Sequence, residues 1–194
     1  ILDDPNRLWM ADEWTKERER EAKERLAEQG PNAPTFWTNK YIHEAHRYWT
    51  EFYKRNKDNF YKDRHYLHLV FPELAPEAAC NAETPVSSGK DMYLLEVGCG
   101  AGNAVFPLLE INPSLHVHAF DCAPSAVALV QAHIDEMEIT ERMEASVCDL
   151  VREDPPVTPR TMDFVLCMYV ISAIAPEHHA QCFSKLASCL RPGG

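Results

Sequence analysis

The chain has 194 residues, 45% of them hydrophobic and 25% charged, proportions that exclude a fibrous, collagenous or wholly disordered protein. Its 19 Lys+Arg against 30 Asp+Glu leave a formal net charge of −11, which argues against a protein coated in positive charge that grips nucleic acid indiscriminately. A local basic patch is still compatible with that balance.

The first predicted helix covers residues 11–29, where Glu, Arg and Lys dominate and Trp14, Ala22 and Leu26 form a narrow apolar stripe, expected to be a docking face. Gly30-Pro31, with Pro34 close behind, stops it. A second helix is expected over about residues 39–57, because Ile42, Ala45, Trp49, Phe52 and Tyr53 recur at offsets of three and four and make one aromatic-rich side. Residues 72–90 hold Pro72, Pro76, Pro85, Ser87, Ser88 and Gly89 and read as a linker. That divides the chain into an N-terminal helical extension (1–71), the linker (72–90) and a second domain (91–194).

Beyond the linker, strand and helix alternate. Strands are predicted at 92–97, 116–120, 144–147 and 162–168, and helices at 103–110, 124–137 and 176–190. This order at this spacing implies right-handed crossovers and a parallel sheet with helices on both faces, an α/β fold. The chain stops where a fifth strand would begin, so a fragment of a longer sheet is expected. The start, Ile1-Leu2-Asp3, has neither Met nor an apolar leader, and no apolar stretch reaches the length of a membrane span. Seven Cys, with no C-x-x-C pair, mostly sit in apolar runs and read as reduced thiols of an intracellular protein. A cytoplasmic location follows, with a mitochondrial one left open because the N-terminus is expected to be missing.

The segment richest in chemistry is Glu96-Val-Gly98-Cys-Gly100-Ala-Gly102, a G-x-G-x-G loop between strand and helix, where small residues let the backbone approach a ligand. A dinucleotide fingerprint needs its third Gly at position 103, which is Asn103 here. S-adenosylmethionine is therefore favoured over NAD. Asp121 ends the second strand about twenty residues later, where a carboxylate can accept both ribose hydroxyls. Asp149, after the third strand, can accept from an adenine amine while Leu150 packs on the ring. Three such strand ends lie on one carboxyl edge, where open α/β sheets bind small molecules.

Residues 53–68 carry Lys54, Arg55, Lys57, Lys62 and Arg64 against Asp58 and Asp63, interleaved with Phe60, Tyr61 and Tyr66. Such a mixture can contact phosphates and stack on unpaired bases, or be a solvated loop with aromatic anchors. The pairs His43-x-x-His46 and His65-x-x-His68 lack the Cys or carboxylate company of a metal site, so no metal is expected. No G-x-S-x-G elbow is present either.

The residues resemble the S-adenosylmethionine-dependent tRNA N3-methylcytidine methyltransferases, a class I family with a Rossmann-like sheet. Trp49-Thr-Glu-Phe-Tyr53-Lys-Arg-Asn56 is similar to the family's W-x-x-F-Y-K-x-N block, and Asn59-Phe-Tyr-Lys-Asp-Arg-His65 to its N-F-F-K-D-R-H-W block. Tyr66 stands where the family has Trp. Phe71-Pro-Glu-Leu74, Phe106-Pro-Leu-Leu109, Cys148-Asp-Leu150 and Ser172-Ala-Ile174 are also similar to family segments. The resemblance implies that Trp49, Tyr53, Gly98, Asp121, Asp149, Leu150 and Met168 line the cofactor, beside Gly100 and Gly102 of the loop. It implies that Lys54, Arg55, Lys57, Lys62, Arg64 and His65 hold a tRNA anticodon stem-loop and that the methyl acceptor is cytidine 32. An aminoacyl-tRNA synthetase or other accessory protein stays open as a partner. Two alternatives remain at this point: a class I methyltransferase acting on a protein or small molecule, with residues 49–68 as a lid, and a catalytically silent cofactor-binding subunit.

Overall fold

The computed structural model describes residues 14–29, 34–75 and 91–194. The chain divides into two compact units, residues 1–41 and 42–194. In the first, α1 (Lys16–Glu28) begins at Thr15, whose Oγ1 accepts from Arg18 N at 3.2 Å. Lys23–Glu19 and Arg20–Glu24 pairs, one turn apart, run along its surface. Trp14 and Leu26 of the expected docking stripe are exposed.

The second predicted helix is two helices: α2 (Thr35–His43) and α3 (Ala45–Asn56). The break at Glu44 has a physical cause. Arg47 N and Tyr48 N both donate to Glu44 O, while the His43 carbonyl accepts from the Arg152 guanidinium at 3.2 Å. A distant side chain thus takes an acceptor that a continuous helix would have used.

The second compact unit begins at Ile42, inside the expected extension of residues 1–71. Residues 42–75 belong with the sheet because their apolar side chains are part of its core. Tyr53 packs with Ala123 and Ala126, and Ser125 Oγ donates to Thr50 O at 2.7 Å. Leu67, from α4 (Leu67–Val70), and Leu74, from the 3-10 turn Pro72–Leu74, join the main hydrophobic cluster. Asn112 Nδ2 donates to Leu74 O at 3.1 Å. The remainder of the predicted linker, 76–90, lies outside the described residues.

The sheet contains β1 (Met92–Val97), β2 (Leu115–Asp121), β3 (Met143–Val147) and β4 (Phe164–Cys167) in the order β3-β2-β1-β4, every pair parallel. Between them run α5 (Val105–Ile111) after β1, α6 (Pro124–Glu136) after β2 and, past β4, α7 (Pro176–Cys189). The two-residue period of a strand sorts side chains to opposite faces. Leu94, Val117 and Ala119 meet Val105 and Leu109 of α5 and Val130 and Ile134 of α6, whereas Leu95, Val97 and Phe120 meet Cys182, Leu186 and Cys189 of α7. This is the expected α/β architecture, a Rossmann-like sheet with helices on both faces. β4 is shorter than predicted, because Met162 forms an isolated parallel bridge with Leu190 and Asp163 turns aside to accept from Tyr93 N at 2.8 Å. Its four residues are half-buried, as suits a strand at the sheet's edge. No helix among the described residues is long and apolar enough to cross a membrane.

Candidate functional site: the carboxyl edge of the sheet

The loops after all four strands open on one side of the sheet, and α3 packs over them through α6. Between them is a cavity of about 410 Å³. Its wall includes Trp49 and Tyr53 of α3, Gly98 and Gly100 after β1, Asp121 at the end of β2, Asp149 and Leu150 after β3, and Met168 after β4. All eight were expected to meet a cofactor. Gly102 does not line the cavity. It is buried behind the loop against the Phe106 ring, with its N–H bonded to Cys99 O at 2.9 Å, so its role is to turn the chain into α5.

Two glycines are dictated by space and by backbone. Gly98 has φ +62 and Gly100 φ +56, a region that L side chains rarely adopt. A Cβ on Gly100 would collide with the Tyr53 phenol, and one on Gly98 with Val170. The Tyr53 ring therefore lies directly on the loop backbone. It is also tilted at 31° to Trp49, with centroids 6.3 Å apart. Burial raises the Tyr53 phenol's pKa, so it stays neutral.

Asp121 is 7% exposed and is held by its neighbours' backbone: Oδ2 accepts from Gly100 N at 3.0 Å and Oδ1 from Ala123 N at 2.9 Å. Burial pushes its pKa up while these two N–H groups pull it down. Each oxygen keeps a lone pair beyond the bond it has made. Asp149 is more open. Its Oδ1 accepts from Val151 N at 3.1 Å and its Oδ2 is 3.6 Å from the Arg152 guanidinium.

Glu96 is a site residue that sequence reasoning placed only within the motif. It is fully inside the protein, and its Oε2 is the one buried side-chain polar atom among the described residues with no hydrogen-bond partner. Burial, then the charge of Asp121, raises its pKa to about 8, with Arg64 pulling the other way. The signal was present: one carboxylate in the otherwise apolar strand Tyr93-Leu-Leu-Glu96-Val is costly unless something in the cavity partners it.

The basic segment divides. Lys54, Arg55, Lys57, Lys62 and His65 are exposed and do not line the cavity. Arg64 is half-buried and does: its N–H donates to Asn103 O at 2.8 Å and its guanidinium lies 5.0 Å from the Tyr169 ring centroid. Asn103 also fastens this segment, donating from Nδ2 to Asp63 Oδ1 at 2.8 Å and to Tyr61 O at 3.2 Å. The residue that breaks the dinucleotide pattern is thus the anchor of the segment over the site. Arg152 and Tyr169, which also line the cavity, were not anticipated.

Residues 94–194 match the methyltransferase domain family. The chain is 37% identical over 193 residues to the tRNA(Thr) (cytosine(32)-N(3))-methyltransferase of Saccharomyces cerevisiae, covering 96% of this chain and 29% of that protein. It is 31% identical to tRNA N(3)-cytidine methyltransferase METTL2 of Xenopus tropicalis, covering all of this chain and 67% of that protein. It is 37% identical to METTL6 of Mus musculus, covering 89% of this chain and 59% of that protein. The chain thus spans from under a third to about two thirds of the length of these relatives. By the matched domain and by these identities over most of its length, the chain belongs to the tRNA N(3)-cytidine methyltransferase family, on a class I methyltransferase domain.

Proposed function

We propose that this protein transfers a methyl group from S-adenosylmethionine to N3 of cytidine 32 in the anticodon loop of tRNA. The observation that carries the reading is one cavity whose wall combines three acceptor carboxylates, Glu96, Asp121 and Asp149, with the paired rings of Trp49 and Tyr53. Those residues fit the cofactor group by group. The lone pairs left on Asp121 suit the two ribose hydroxyls, and Asp149 with Leu150 suits the adenine amine and ring. Glu96 Oε2, buried and without a partner, offers an acceptor to an ammonium group, whose positive charge would favour the ionised carboxyl that burial alone disfavours. Gly100 leaves room for the Tyr53 ring to pack on the loop.

The bound cofactor supplies an electrophilic methyl on a sulfonium. Everything else falls to the chain. Trp49 and Tyr53 present ring faces that stabilise a cation and keep water away from it. Asp121, locked by Gly100 N and Ala123 N, fixes the nucleoside half and so aims the methyl. Cytosine N3 already carries a lone pair and attacks in line without losing a proton first, so no general base is assigned. Reaching it requires the base to leave its stack and enter the cavity. The exposed Lys54, Arg55, Lys57 and Lys62 supply cationic contacts, and His65 a polar one, that hold the RNA backbone near the opening.

Mass spectrometry of nucleosides from tRNA incubated with the complete protein and isotope-labelled cofactor tests this. N3-methylcytidine carrying the label is the expected product. Labelled protein or small molecule with unlabelled RNA would replace the reading by the lid alternative.

A further inference from the structure

Among the described residues, Tyr169 is the most exposed large hydrophobic side chain, at 76%, yet it is placed with unusual care. It follows Met168 at the end of β4, on the rim of the cavity, and its φ is +61. A tyrosine stays in that region only where its surroundings over-determine it. Here Val170, the next residue, is wedged against the bare α-carbon of Gly98, and Ser172 Oγ donates to Tyr169 O at 3.2 Å. The strain turns outward a ring that buries little, so folding does not explain it. Arg64, from the segment between α3 and α4, lies over the ring at 5.0 Å from its centroid, and so restrains a ring that lines the cavity. A ring with a cation on one face and most of its surface open is a stacking platform for a second flat ring.

The geometry points to Tyr169 as the platform on which the target base stacks, with Arg64 as the residue that positions it, an inference that rests on the cytidine-methylation reading. In-line attack by N3 demands that the plane of the pyrimidine be held, and none of the three carboxylates provides a flat surface for that. Arg64, counted with the phosphate contacts from its composition, would then act on the base through Tyr169.

The test uses the complete protein and an anticodon stem-loop carrying pyrrolocytidine, a fluorescent cytidine analogue quenched by stacking, at the target position. Tyr169→Phe should keep the quench and support methyl transfer to unmodified stem-loop. Tyr169→Leu should lose the quench and lower transfer kcat/KM by at least about tenfold, with cofactor affinity unmoved. Tyr169→Gly adopts φ +61 without strain and should unfold no lower than the wild type while still losing the quench, which separates stacking from folding. Arg64→Lys should retain more of the quench than Arg64→Ala. An undiminished quench in Tyr169→Leu, or a parallel loss of cofactor affinity, would overturn the platform. A Tyr169-dependent quench in a protein that forms no N3-methylcytidine would support the platform and sink the methylation reading, so the two fail separately.

Discussion

Two regions of the molecule are built on opposite principles. At the carboxyl edge of the sheet, Gly100, Asp121 and Glu96 are buried, and the Asp121 carboxylate accepts from Gly100 N. In the last turn of α3 and the segment after it, Lys54, Arg55, Lys57 and Lys62 are exposed side chains, with Lys54 paired to Glu51 at 2.8 Å. Few groups, each irreplaceable, suit a ligand of fixed shape. Many weak, interchangeable charges suit a polyanion. The difference implies steep, site-specific losses in the first region and shallow, salt-dependent ones in the second.

The largest effect is expected at Gly100→Ala. A methyl there must displace the Tyr53 ring and also hold φ +56, so cofactor affinity should fall by more than about 100-fold in calorimetry. Near-normal affinity would mean that Tyr53 yields easily and that the loop is less rigid than its packing indicates. Next comes Asp121→Ala, which removes charge-assisted acceptors and should cost about 1.5 to 3 kcal/mol of cofactor affinity in the same measurement.

Glu96 sharpens the comparison through pH. Its pKa rises from 4.5 to about 8 on folding, so between those values the native state holds a proton that the unfolded state has released. Stability from this group is therefore complete below about pH 4.5, falls as pH rises through that window, and is flat above about 8. Denaturant titrations of Glu96→Gln across the window should show that slope flattened. The same slope in wild type and variant would mean that Glu96 ionises as freely in the folded chain as in the unfolded one.

The smallest effects belong to the basic segment. Replacing Lys57 or Lys62 by Ala should weaken binding of every tRNA by a similar factor and lower the slope of log affinity against log salt by about 1. A loss confined to one tRNA would make that side chain a reader of sequence instead of a phosphate contact.

What could be read from the chain before its structure follows the same division. Strand period, the glycine run and the acids at the ends of β2 and β3 are local patterns, and they identified Gly98, Gly100, Asp121, Asp149 and Leu150 of the cavity wall, whereas Trp49, Tyr53 and Met168 came from the resemblance to a known family. Features made by distant contacts were not legible. The helix break at Glu44 depends on Arg152, which lies more than a hundred residues away and takes the His43 carbonyl. The core positions of Leu67 and Leu74 depend on the sheet, and composition alone assigned them to an extension and its linker. Arg64 looked like its basic neighbours until Tyr169 appeared under it, and the backbone strain at Tyr169 has no sequence pattern at all. Gly102 was counted with Gly98 and Gly100 because spacing cannot tell a glycine that faces a ligand from one that faces a phenylalanine.

The most direct measurement is a crystal structure of the complete protein grown with S-adenosylhomocysteine. The account predicts density for the adenosine between Asp121 and Asp149, with the sulphur beneath Trp49 and Tyr53. Density elsewhere on the molecule, with that cavity filled by its own side chains, would contradict it.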